Sequence, residues 1–342
     1  MPKRALVISG GGCKGAFAVG VLKNLAANFP EISFDVFVGT STGSLIVPFA
    51  ALNRIDLLEK LYTTITTDQV VTKGNIIARL TGNNSLFDAR PLGNLIKQYY
   101  NDDICQQVFA SGKEVFFATT CLQTGASVNF STQPVSFETN YELMAVNNAD
   151  EFRRAVMASA CQPVFMQPIE VKKGTVPIRQ YVDGGVKEYA GIQLAIDAGA
   201  EEIYAIVLNP ESKEPEEHPF NDVVGILQRT IDIFTAGVGT NDIRIPAVYN
   251  KTLQYIAAVQ KKMLGAGISQ QAIDGYFNIP FNNPVAGKKP LKIYVIRPDA
   301  SLGGGPGGLT FDPTEMKGML AKGQQQLDAF MASLPVEPGQ TV

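Results

Sequence analysis

The chain is 342 residues long, 45% hydrophobic and 18% charged, with a formal net charge of −3 and a pI near 5.4. This length suits one large α/β domain or two modest ones, and the acidic balance excludes a broad electropositive face, so no nucleic-acid partner is expected. Four scattered cysteines, Cys13, Cys105, Cys121 and Cys161, form no Cys-x-x-Cys pair and have no histidine nearby, which argues against zinc and a disulfide framework and for reduced thiols in a cytoplasmic protein.

After Met1-Pro2-Lys3-Arg4 the apolar residues are too few for a signal-peptide core, and no later run is long enough to span a bilayer. Short apolar runs alternate with stretches of helical period, the pattern of βα units on a mainly parallel sheet. The first strand is predicted at Ala5–Ser9. It leads into Gly10-Gly11-Gly12-Cys13-Lys14-Gly15 and a helix from Lys14 to Asn28, with Phe17, Val21, Leu22 and Leu25 on one side. The second strand, Asp35–Val38, runs into Gly39-Thr40-Ser41-Thr42-Gly43. Val70 to Phe87, with Gly74, Gly82, Asn83 and Asn84, reads as a mobile flap or as an ordinary connecting loop. Glu114 to Thr132 reads as a hairpin around Gln123-Thr124-Gly125, with a strand at Val115–Cys121.

Further strands are predicted at Ile203–Leu208 and Lys292–Ile296. Between them, Asn209 to Phe220 is a solvated loop of prolines and carboxylates that holds His218, the only histidine. Val223, Leu227, Ile231 and Phe234 recur at helical spacing and are expected to pack into the core, the alternative being a lipid-facing or dimer-forming face. Another helix is expected from Leu253 to Met263. Leu302–Leu309 is expected to be a flexible turn, and Pro313 to Ser333 to close the chain as an amphipathic helix.

Gly39-Thr40-Ser41-Thr42-Gly43 has the G-x-S-x-G form of a nucleophile elbow, where a strand turns sharply into a helix and presents a serine hydroxyl. A serine needs a base, and His218 is remote in an acidic loop, so the base is expected to be a carboxylate. Asp183, in Tyr181-Val182-Asp183-Gly184-Gly185, is the best candidate. It ends an apolar run, and Gly184 and Gly185 permit a tight turn that can aim the carboxyl into a pocket, although Asp-Gly-Gly is also an ordinary hairpin or capping turn.

The glycine run at 10–15 formally satisfies G-x-G-x-x-G, but the second strand lacks an acidic residue at its end to hold a ribose, and Lys14 is followed by no serine or threonine for magnesium. The same glycines can instead converge their N–H groups on an anion and serve as an oxyanion hole beside Ser41. Lys14 either adds positive potential for an anionic head group or is a plain surface lysine.

Four blocks in this order resemble the patatin-like phospholipases: Gly10-Gly11-Gly12-Cys13-Lys14-Gly15, Gly39-Thr40-Ser41-Thr42-Gly43, Ala158-Ser159-Ala160-Cys161-Gln162-Pro163-Val164-Phe165 and Asp183-Gly184-Gly185. The resemblance implies an oxyanion loop at the first block, a nucleophile at Ser41 and a base at Asp183, a dyad that needs no histidine, metal or other cofactor. It also implies hydrolysis of acyl esters of glycerolipids. Leu309-Thr310-Phe311-Asp312-Pro313 is similar to the family's bacterial members, whereas Phe220 to Lys289 departs from a minimal core of this kind.

The expectation is thus a three-layer α/β/α fold with a mainly parallel sheet and an added helical region near the C-terminus. Residues 1–210 would form the catalytic core, 211–290 an acidic loop and helical insertion, and 291–342 the last core strand and helix. The expected activity is that of a cytoplasmic phospholipase A or lysophospholipase. Membrane phospholipid or lysophospholipid would be the substrate, with transient contact to a membrane surface and a possible homo-oligomer. An acyltransferase with the same nucleophile and a catalytically silent lipid-binding protein are the alternatives.

Overall fold

The computed structural model describes residues 2–73, 84–135, 137, 139–172, 177–212, 215, 217, 219–279 and 289–334. His218, and Gly74, Gly82 and Asn83 of the expected flap, lie outside the described residues.

Strand β1, Arg4–Ile8, carries a continuous apolar run at 5–8 that is buried on both sides, as a central strand of a parallel sheet must be. Leu6 and Ile8 point into one hydrophobic cluster, and Ala5 and Val7 into a second. The remaining strands are β2 (Val36–Thr40), β3 (Thr72–Lys73), β4 (Phe87–Asp88), β5 (Glu114–Cys121), β6 (Ser127–Ser131), β7 (Glu142–Ala145), β8 (Ile169–Val171), β9 (Arg179–Asp183), β10 (Glu202–Ile206) and β11 (Lys292–Ile296). The main sheet runs β11-β10-β1-β2-β5-β6-β7, and β9 joins it by pairing with β5. Pairs from β11 to β5 are parallel, while β6 and β9 run antiparallel to β5. β3 and β4 form a separate antiparallel pair.

Helices cover both faces. On one lie α1 (Gly15–Asn28), α2 (Thr42–Ala51), α3 (Ile55–Thr64) and α4 (Ala149–Ala160). On the other lie α5 (Ile192–Asp197) and the middle of α6 (Val223–Gly265), through Val238 and Ile243. The last helix, α7 (Pro313–Ser333), returns to the first face against α1. Side chains outside the helices fix several starts. Asn148 accepts from Glu151 N at 2.9 Å, Asp222 from Gly225 N at 2.8 Å, and Asp312 from Thr314 N and Glu315 N at 2.8 and 2.9 Å.

The five core strands and the first and last helices fall within a residue or two of their predicted places. Two expectations are corrected. The helix expected at Leu253 to Met263 is the end of one 43-residue helix, α6. On it Val223 and Phe234 are exposed rather than core, because the face turned inward is the one whose Asp242 and Gly239 meet the turn after Asp183. The glycine-rich segment 302–309 is not a loose turn. Cys13 Sγ donates to Gly304 O at 3.9 Å, Thr310 N to Gly304 O at 2.9 Å, and Gly307 N to Asp232 Oδ2 at 3.4 Å, which dock the segment between the first glycine loop and α6.

Helices α1 and α7 touch backbone to backbone at Gly20, where an added methyl would run into the carbonyl of Leu320. Gly20→Ala therefore forces the two helices apart. The expected loss is about 1–3 kcal/mol, as for other overpacked cores, and it is read as a lower urea midpoint with an unchanged slope.

Candidate active site

Strand β5 places the two reacting candidates. Its first half pairs with β2 and ends at Thr40↔Ala118; along the same strand the next residue begins the pairing with β9, at Thr119↔Asp183. β2 runs parallel to β5 and β9 antiparallel to it, so both end at one point from opposite directions. Consecutive residues of a strand lie about 3.4 Å apart along it, which brings Ser41, next after Thr40, beside Asp183.

Ser41 stands between β2 and α2 with φ 56° and ψ −122°, a positive φ that is rare for a residue with a side chain. This is the strained strand-to-helix turn that the G-x-S-x-G spacing predicts. Its N–H donates to Ser159 Oγ at 3.1 Å, and Ser159 Oγ donates to Ala118 O at 2.6 Å, so a fully buried serine of α4 ties the elbow to β5. On the other side Ser41 O accepts from Ser44 N and Ser44 Oγ at 3.0 and 2.6 Å, and the hydroxyls of Thr42 and Tyr62 bond to one another.

Asp183 is 8% exposed. Its N–H donates to Cys161 O at 2.8 Å, and its Oδ1 accepts from Gly185 N at 2.8 Å. A side chain at Gly184 would collide with the carbonyl of Ala118, so only glycine lets the turn lie this close to β5. Burial pushes the Asp183 carboxyl up to about 6, while hydrogen bonds from the Ser41 side chain and the Gly185 backbone pull the other way. A carboxylate in contact with a serine hydroxyl, with an affinity for protons close to neutrality, can act as a general base.

The first glycine loop adjoins Ser41 because β1 and β2 are parallel neighbours and their carboxyl ends lie side by side. Gly10 O accepts from Tyr189 Oη at 2.7 Å and from Ser9 Oγ at 3.2 Å. Asn209 Nδ2 donates to Tyr189 Oη at 2.5 Å, and Lys14 Nζ to Asn209 Oδ1 at 3.3 Å. In a trans peptide the N–H points opposite to the carbonyl. Pinning Gly10 O thus fixes the direction of Gly11 N–H at the loop where the helix begins.

Gly10, Gly11, Gly12, Lys14, Ser41, Thr42, Asp183 and Gly185 all line one cavity of about 920 Å³. Leu45, Phe49, Leu61, Leu92, Ile96 and Met166 contribute apolar walls; Lys14, Asn209, Arg229, Asp232 and Thr235 contribute polar ones, the last three from α6. Cys13 is turned away into the core, where burial lifts its thiol to about 12. Gly15, Gly39, Thr40 and Gly43 support the loop and elbow without lining the cavity. Among the described residues no group of acidic, histidine or cysteine side chains is arranged to hold a metal, and no helix is long and apolar enough to cross a membrane.

Tyr189, Asn209, Arg229 and Asp242 carry no motif that singled them out in the sequence, and Ser159 lies in the third block, where no role was read for it. Asp242 Oδ2 accepts from Tyr189 N and Ala190 N at 2.5 and 3.1 Å, tying α6 to the turn that follows Asp183. Only the spacing of Tyr189 from Asp183, six residues on in a glycine-led turn, offered a signal.

A family model, Patatin-like phospholipase, matches residues 6–196. No curated protein matches the chain. Among solved structures the chain is similar to VipD from Legionella pneumophila, at 12% identity and a TM-score of 0.44, over 97% of this chain and 67% of that one.

Glu188, 8% exposed, lies on the far side of the same turn. Its Oε2 accepts from Ser127 Oγ and Asn129 Nδ2, both at 3.2 Å. Burial, with Asp242 and Asp197 nearby, lifts its carboxyl from an ordinary 4.5 to about 7 in spite of those donors. The folded state therefore binds the proton more tightly than the unfolded chain. The stability this confers is complete below about pH 4.5 and is lost as pH rises through about 7. Glu188→Gln, which keeps an acceptor for both donors and carries no charge, is expected to raise the melting temperature at pH 8, to leave it unchanged at pH 4.5, and so to flatten its pH dependence.

Proposed function

The chain belongs to the patatin-like phospholipase family, and from that premise we propose that it is a serine lipid acyl hydrolase acting on the acyl esters of glycerophospholipids or lysophospholipids. The observation that carries the reading is the meeting of Ser41 and Asp183 at one point on β5, inside a cavity with many apolar lining residues.

In this reading Asp183 accepts the Ser41 hydroxyl proton as Ser41 Oγ attacks the ester carbonyl carbon. The tetrahedral oxyanion is held by N–H groups of the Gly10–Gly15 loop, and the start of α2 adds the positive end of its dipole. Collapse breaks the bond to the glycerol oxygen, which leaves with the proton from Asp183. Water then attacks the acyl-enzyme, giving its proton to Asp183, and the second collapse returns a proton to Ser41 and releases the fatty acid. The apolar lining residues suit an acyl chain, and Lys14, Asn209 and Arg229 in the same lining suit the glycerol and its head group. Tyr189 is a positioning residue here, holding the oxyanion loop through Gly10 O.

Mixed phospholipids incubated with the wild-type protein are expected to release fatty acid. Ser41→Ala and Asp183→Asn are expected to lower that release by about 10³-fold or more without unfolding the chain, and a fluorophosphonate probe is expected to label only proteins that retain Ser41. Activity that survives Ser41→Ala overturns the assignment of the nucleophile.

The base must be ionised to work, and burial holds Asp183 near 6. The pH profile of kcat/KM on a soluble short-chain ester is expected to be level above about pH 7 and to fall about tenfold per unit well below pH 6. A level profile down to pH 4 removes Asp183 from the role.

A further inference from the structure

Helix α6 has two unlike faces along most of its length. Gln228, Thr235, Gly239, Asp242, Pro246 and Leu253 face the body of the protein. Opposite them Ile226, Ile233, Phe234, Ile245, Val248 and Tyr255 are exposed, Phe234 at 69% and Tyr255 at 72%. At 100° per residue these six fall within a sector of about 120°. A run of large apolar side chains this extended is unusual on a surface facing only water and marks an interaction site.

The carboxylates on the helix are segregated in the same way. Its two carboxylates both belong to the inward side. Asp232 lines the cavity, and Asp242 accepts from the Tyr189 and Ala190 backbone. Arg244, Lys251 and Lys262 are exposed and fall along one border of the apolar sector. The outward face is therefore mostly apolar, interrupted by Asn241 and Thr252, with a cationic rim and no carboxylate, within a chain of net charge −3.

We infer that the outward face of α6 is a docking surface for an anionic lipid bilayer, an inference that rests on the lipid hydrolase reading above. An interfacial helix buries its apolar side at the level of the acyl chains while lysines and arginines on its border meet anionic head groups. The other side of the same helix, through Gly225, Arg229, Asp232 and Thr235, is a wall of the cavity that holds Ser41. Docking by this face thus sets that wall between the bilayer and the reacting groups. A second copy fits the face less well, since antiparallel pairing about a two-fold axis would set the cationic rim against its own image.

The test is co-sedimentation of the full chain with vesicles of phosphatidylcholine alone and of phosphatidylcholine with phosphatidylglycerol. Hydrolysis of a soluble short-chain ester and circular dichroism serve as controls. Wild-type protein is expected to bind the anionic vesicles more tightly, and Ser41→Ala to bind them equally well, which separates docking from catalysis. Ile233→Asp with Phe234→Asp is expected to weaken vesicle binding by about tenfold or more and to leave soluble-ester hydrolysis within about twofold. Arg244→Gln with Lys251→Gln is expected to abolish the preference for anionic vesicles.

Three results would overturn the inference: no binding of wild type to either vesicle, equal binding by the aspartate variant, or a dimer in sedimentation equilibrium that the aspartate variant dissociates. Loss of soluble-ester hydrolysis in wild type would instead count against the catalytic reading alone.

Discussion

The site depends on β5 being longer than either strand that shares its edge. β2 uses the edge up to Ala118, and β9 uses it from Thr119 onward. No loop has to be shaped to bring Ser41 and Asp183 together across 142 residues of sequence, since backbone hydrogen bonds to one strand set both positions. A one-residue slip of either register would turn the paired side chains to the opposite face of the sheet. The surrounding bonds guard against such a slip. Ser159 joins the Ser41 amide to the Ala118 carbonyl, Cys161 takes the Asp183 amide, and Gly184 lies where any side chain would meet Ala118. The third of the four sequence blocks thereby gains a physical role, because its serine and cysteine backbone are the struts between elbow and base.

The turn after Asp183 connects parts that are distant in sequence. Tyr189 reaches the first glycine loop through Gly10 O and the end of β10 through Asn209, while its amide is held by Asp242 of α6. Tyr189 is fully enclosed, and burial raises its hydroxyl above the ordinary tyrosine range, so it remains a neutral donor to Gly10 O. The helix that departs from a minimal core is consequently part of the support for the base turn. Gly239 makes this possible, since a methyl there would press into the Tyr189 ring.

Much of the fold was legible in the sequence because buried parallel strands such as Ala-Leu-Val-Ile at 5–8 are plain apolar runs, and because glycines and Asp312-Pro313 punctuate the chain. The turns that hold Ser41 and Asp183 were legible because their glycines have no cheaper substitute. Ser159 and Asn209 were not, since a serine on a helix or an asparagine after a strand has many uses and only the tertiary contact selects one. The outward face of α6 was misread for a related reason. Of the four residues at helical spacing, Ile231 packs against the core as expected while Val223 and Phe234 are exposed, because periodicity gives the width of an apolar stripe and not the side of the helix that meets the protein. Here that side was decided by Asp242 and Gly239, two residues that no hydrophobicity pattern would choose.

In the proposed mechanism a carboxylate in place of histidine constrains everything near it. At its ordinary affinity for protons an aspartate would scarcely draw one from a serine, and a fully dehydrated aspartate would stay protonated and accept nothing. Asp183 lies between these limits, because burial raises its affinity while two hydrogen bonds, from Ser41 and Gly185, favour the charged form. The balance tolerates no further charge in direct contact. Glu188, five residues on, has its side chain turned to Ser127 and Asn129 on β6, and Asp242 spends its charge on backbone amides. The other carboxylates of this crowded turn are thus faced away from Asp183 by the strands and helix that also hold it in place, so its affinity is set by its own burial and two donors.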